Sequence, residues 1–154
     1  MRLAPAAFLL AACVAVCGAA RPAAAQVAVP AGADAHQRAG GATVLASVEP
    51  GAMVTPGVTS GSETLVSIEG WVDASRLGAA RDSFPATVSG RITLRMRAAP
   101  SVRAAVVATL QPGTGVHVVA RQGTWARVRR ALWVQTSVLA GRTAAGRPPA
   151  SGPR

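Results

Sequence analysis

From residue 92 to residue 139 hydrophobic and polar positions change places in short runs. Ile92, Leu94 and Met96 alternate with Thr93, Arg95 and Arg97. Residues 106–110 form an apolar run. Over 115–121, Val116, Val118 and Ala120 fall on one side, with His117, Val119 and Arg121 on the other. Over 124–130, Ala126 and Val128 face one way and Trp125, Arg127 and Arg129 the other, and a last strand surrounds Trp133 at 131–135. A period of two marks an extended segment whose faces meet different surroundings. Pro112-Gly113 and Gln122-Gly123 are turn signals between these runs. No window sustains a helical period. Strands of four to seven residues at regular spacing, broken by Gly and Pro, predict an all-β barrel or sandwich of small size.

The pattern occurs twice. Residues 44–77 align with 106–139 without a gap at an offset of 62, with 11 of 34 positions identical. The identities include Pro50/Pro112, Gly51/Gly113, Gly61/Gly123 and Trp71/Trp133, which alanine-rich bias does not produce. The first copy is the more degenerate: it carries Glu63 where the second has Trp125, and its opening strand is sought in residues 33–42. Self-similarity at a fixed period points to two copies of one supersecondary unit. A unit of 45–50 residues is near the smallest that folds without staples, so the copies are expected to pack together.

The stretch from Leu94 to Leu139 resembles bacterial Src-homology-3-type domains. The elements that carry the resemblance are Leu94 to Ser101, the strand at 106–110, Pro112-Gly113, Gly123 to Val128 with its Trp125, and the closing Trp133-Val134. Two departures stand out: Leu132 replaces the usual Gly before the closing Trp, and Ala98-Ala99 replaces a Gly-rich turn. The resemblance implies two tandem small Src-homology-3-like β-barrels. The division expected is a signal peptide at 1–25, a degenerate first repeat at 26–78, a linker at 79–90, the second domain at 91–140 and a disordered basic tail at 141–154.

Composition enters through the N-terminus. Arg2 precedes an apolar run that ends in Ala23-Ala24-Ala25, the small-residue exit of a Sec-type signal peptide. Cleavage near Ala25 predicts an exported, periplasmic or secreted chain. Leu10-Ala11-Ala12-Cys13 also matches a lipobox, which would leave a lipid on Cys13. The only cysteines are Cys13 and Cys17, so the mature chain has no disulfide to staple it. It also holds no second apolar run long enough for a transmembrane helix.

Charge sharpens the picture. The 154 residues carry 16 Arg, no Lys and 6 acids, a net charge of +10. All six acids lie at or before Asp82: residues 26–82 hold three Arg and six acids, whereas 83–154 hold 11 Arg and no acid. Basicity therefore belongs to the second copy and the tail. The candidate ligand-binding residues are Trp125, Arg95, Arg97, Arg127 and Arg129, all off the predicted core face. Arg pairs with carboxylate or phosphate through a planar fork, and Trp offers a flat apolar contact. Trp71 and Trp133, at the repeated closing position, are expected to fill the barrel ends.

Catalytic chemistry is scarce. The mature chain lacks Cys, Lys and Tyr, and no G-x-S-x-G, P-loop or H-E-x-x-H motif occurs. His36 and His117 stand alone, so no metal or cofactor is expected. The expectation is a non-catalytic exported binding module. The resemblance implies peptidoglycan or its peptide stems, or another anionic envelope polymer, as ligand. A protein-interaction adaptor in the envelope is the alternative. Nucleic acid is disfavoured by export and by the shortage of exposed aromatics.

Overall fold

The computed structural model describes residues 24–139. Residues 1–23 and 140–154, which hold all but the last two residues of the predicted signal peptide, both cysteines and the basic tail, lie outside the described residues. No α-helix occurs among the described residues; 3-10 turns at Ala74–Arg76 and Thr136–Val138 are the only helical elements there. No helix there is long and apolar enough to cross a membrane.

The described residues form eleven strands. They are β1 (Val27–Ala28), β2 (Ala33–His36), β3 (Val44–Val48), β4 (Met53–Ser60), β5 (Glu63–Asp73), β6 (Leu77–Gly78), β7 (Ala86–Val88), β8 (Leu94–Arg97), β9 (Val106–Leu110), β10 (Gly115–Gln122) and β11 (Trp125–Gln135). The runs at 124–130 and 131–135 thus join into one strand of 11 residues. Each long strand follows a tight turn whose Gly adopts positive φ: 59° at Gly61 and 56° at Gly123. That is the left-handed region where only Gly is free of a Cβ penalty.

Six strands close a ring. β5 pairs with β8, β8 with β9, β9 with β3, β3 with β2, β2 with β11, and β11 with β5, all antiparallel. Closure hides the edges that a short open sheet would present. Within this all-β, barrel-like fold the ring takes three strands from each half of the sequence. It is one closure spanning both halves, not two barrels in series. Buried Val, Ile, Leu, Met and Ala side chains from both halves form a single core cluster. A unit of this size gains little core alone, and sharing one enclosure raises the fraction of surface buried.

The pairing repeats with the offset of the sequence. β5 and β11 pair from Glu63↔Gln135 to Asp73↔Trp125. Shifting each member by 62 in opposite senses carries the first pair onto the last, with Ile68↔Arg130 at the centre. β3 and β9 behave alike, from Ala46↔Leu110 to Val48↔Ala108 around Ser47↔Thr109. β1 on β4 (Val27↔Val54) is matched by β7 on β10 (Ala86↔Val116). The stretch 79–90, polar and small enough to suggest a linker, therefore carries a strand, with Ala86 and Val88 buried.

The Leu132 departure has a steric explanation. At the aligned position Gly70, an added Cβ would stand 2.6 Å from Met96 Cγ and 2.8 Å from the Arg97 carbonyl oxygen. In the other half Ala35 occupies the place of Met96, and Leu132 that of Gly70; all four are buried. Large and small residues have exchanged places with the filled volume roughly kept, the kind of swap close-packed cores tolerate.

Candidate functional site

β11 alternates strictly, with Ala126, Val128, Leu132 and Val134 buried. Trp125, Arg127 and Arg129 therefore point to the outer face. The register sets Asp73, Trp71 and Glu69 beside them on β5, and Arg97 of β8 beside Trp71. Trp71 and Trp133 also stand half-buried on this outer parity rather than filling the barrel ends. The register places Trp71 between Arg127 and Arg97.

One groove of about 570 Å³ opens on the outer surface. Trp125, Arg95 and Arg97 line it, with Arg76, Asp73 and Val102. Its volume falls in the range that holds small-molecule or peptide segments, roughly 300–1,000 Å³. Ile92 and Val102, 63% and 73% exposed, also border it. Two of the five large exposed hydrophobics of the described residues are thus gathered here. Arg97 donates from Nη1 to the Ala104 carbonyl at 2.8 Å, which fixes the loop 98–105 as one wall. Arg76 donates to the Ile92 carbonyl at 3.3 Å. Asp73 accepts from the Ser75 hydroxyl at 2.7 Å and the Ser75 amide at 2.9 Å. These hydrogen bonds, the hydroxyl first, hold its carboxyl below the usual carboxylate range. Arg95 stays exposed.

Of the five residues singled out by sequence, three meet in this groove. Arg127 is drawn away by an ion pair with Glu69 at 2.6 Å. Arg129 is exposed on β11, opposite His117 on one side and Glu69 on the other, and does not line the groove. Arg76, Asp73 and Val102 were missed. They come from other strands and loops, and no pattern within one segment points to them.

The 62-residue offset carries Trp125 onto Glu63 and Asp73 onto Gln135; Arg97 corresponds to His36 through the strand registers. In that counterpart Glu63 is 4% exposed. Its carboxylate accepts from the Gly40 amide and from Gln135 Nε2 at 3.3 Å, with His36 Nδ1 at 3.5 Å. An internal carboxylate thus closes one of the two corresponding places, and the other is an open groove.

A second missed residue is Arg130. It takes the buried parity of β11 and is only 6% exposed. Its guanidinium carbon lies 3.8 Å from the centre of the Phe84 ring. Burial alone pushes its pKa down.

Residues 92–140 match the family model of the bacterial SH3 domain. No curated protein and no solved structure matches the chain.

Proposed function

We propose that the protein is an exported, non-catalytic binding module of the bacterial envelope, and that its groove takes carboxylate-bearing peptide stems of peptidoglycan. The observation that carries this reading is the contrast between two corresponding places. Glu63 fills one with a carboxylate that accepts from the Gly40 amide and the Gln135 carboxamide, with His36 Nδ1 3.5 Å away. The other presents Arg95, Arg97 and Trp125 to an open groove of about 570 Å³. An incoming carboxylate would meet Arg95 and Arg97 at the cationic edge of the groove, beside Trp125. Arg95 supplies the fork, and Trp125, Ile92 and Val102 supply apolar contact.

The two-copy organisation belongs to the same proposal. The matching registers of the two halves support it, as does the match of 92–140 to the bacterial SH3 domain. One copy has become support and the other has kept an open groove. Export by the leader at 1–25 completes the reading, since the wall lies outside the cytoplasmic membrane.

Retention on purified sacculi tests this. The wild-type chain is expected to sediment with sacculi at moderate salt, and Trp125→Ala with Arg95→Ala to reduce retention at least tenfold. No wild-type retention, or equal retention of the double variant, would overturn it. The rival is an envelope adaptor, and it predicts that crosslinking in cells returns one dominant protein instead of wall fragments.

A further inference from the structure

A second site lies on the other face of β11, five residues from Trp125. At about 3.3 Å per residue that is roughly 17 Å along the strand. Arg130 is buried there, and its Nε and Nη1 have no hydrogen-bond partner among the described residues. The guanidinium lines a pocket of about 110 Å³ with Gln37, Leu45, Asp82, Phe84 and Thr114. Buried polar groups in folded proteins are almost always paired, so an unpaired buried cation asks for an acceptor.

The surroundings are built around this cation. Phe84 stacks on it at 3.8 Å and is itself fixed edge-on by His117, with ring centres 5.1 Å apart. Gly115 lies beneath Phe84, where an added Cβ would meet the ring at 2.4 Å. A tight turn carries Phe84, closed by mutual Arg81–Phe84 backbone hydrogen bonds of 3.0 Å, with Asp82 at φ 54°. The Thr114 hydroxyl donates to the Leu45 carbonyl at 3.1 Å, so that carbonyl is engaged elsewhere. Asp82 lines the pocket without forming an ion pair to Arg130 within 4.0 Å, and it is exposed.

We propose that this Arg130 socket binds a single carboxylate, free or at a chain end, separately from the groove at Trp125. A pocket this small excludes a sugar ring, since sites for larger ligands run to about 300 Å³ and more. It accommodates a group of a few heavy atoms, the size of one carboxylate. The guanidinium fork matches that group in shape and charge, and the ring behind it keeps water from the opposite face.

Acetate is the probe. Amide shifts of Gly113, Thr114 and Gly115 in the mature protein are expected to move saturably on titration, with a Kd on the order of millimolar, the range open to so small a ligand. Arg130→Ile is expected to abolish the movement while the remaining spectrum stays folded, because the aligned position of the first half is Ile68. Arg130→Gln serves as a second variant. Dialanine and its C-terminal amide separate the two sources. Tighter binding of dialanine than of acetate, lost on amidation, assigns a chain end; equal binding assigns a free small carboxylate. The proposal is overturned if acetate moves nothing in the wild type, or if it moves the same amides in both variants. It is equally overturned if Asp82→Asn alone lowers Tm and the wild type ignores acetate, for then Asp82 closes on Arg130 itself.

Discussion

Replacing Arg130 by Ile should stabilise the protein. Two guanidinium nitrogens are buried without partners. Each such group costs about 1–3 kcal/mol. The stack on Phe84 returns roughly 2 kcal/mol in a desolvated setting. Ile, which the first half uses at the aligned Ile68, adds about 1.5–3 kcal/mol of apolar burial. These terms sum to roughly 1.5–7 kcal/mol, and hydrophobic replacements of buried charges realise about 1–4 kcal/mol of such a sum. For a domain of this size that raises Tm by roughly 4–15 °C. Calorimetry of wild type and Arg130→Ile without added anion measures it. The sign of the pH dependence is also fixed. Burial lowers the Arg130 pKa. The unfolded chain then binds that proton more tightly, and the wild type recovers its deficit only in strongly alkaline solution. The gain should therefore be constant across neutral pH. A variant that melts below the wild type would refute the reasoning, since it would mean the guanidinium already has an acceptor.

Two further outcomes follow from the fold. Gly70→Ala places a Cβ 2.6 Å from Met96 Cγ and 2.8 Å from a backbone carbonyl, and is expected to cost about 1–3 kcal/mol in denaturant melts; an unchanged midpoint would contradict the packing described. The Asp73 carboxyl, held below its usual range by Ser75, contributes stability that is present above about pH 3.9 and lost as the pH falls through its lower folded value. Asp73→Asn should flatten that part of the acid limb, and equal slopes for the two proteins would count against the assignment.

Alternation along the chain was enough to find β8 and the start of β10, and an apolar run marked β9; past Val118 a bulge breaks the alternation of β10 and leaves Ala120 exposed. It was not enough to find their neighbours. A period of two says which side chains share a face, not which strand lies alongside. The β3–β9 and β5–β11 pairings join residues about 62 apart and rest on tertiary packing alone. Arg130 stayed hidden for a related reason. With 124–130 and 131–135 taken as separate strands, the parity ends at Arg130, the one buried cation among the described residues. Carried through to Gln135, the same alternation places Arg130 inside, and its alignment with Ile68 says the same. Glu63 looked like a lost Trp. Its role as an internal carboxylate depends on Gly40 and Gln135, which lie 23 and 72 residues away in sequence.

The division of charge acquires a structural meaning through these pairings. The first half donates its acids across the shared strand pair: Glu69 meets Arg127 at 2.6 Å over the β5–β11 seam, and Glu63 closes the counterpart of the groove. The Glu69–Arg127 pair is too exposed to matter much for stability, at about 0–1 kcal/mol. Its effect is on where positive potential remains. With Arg127 neutralised at the middle of the face, Arg76, Arg95 and Arg97 hold the cationic edge against the single acid Asp73. An anionic ligand of the proposed kind would meet those three cations at the groove, with Arg129 a further exposed cation on β11. Removing Glu69 would give it a competing place to land. Acids of one half thus set which cations of the other remain unpaired.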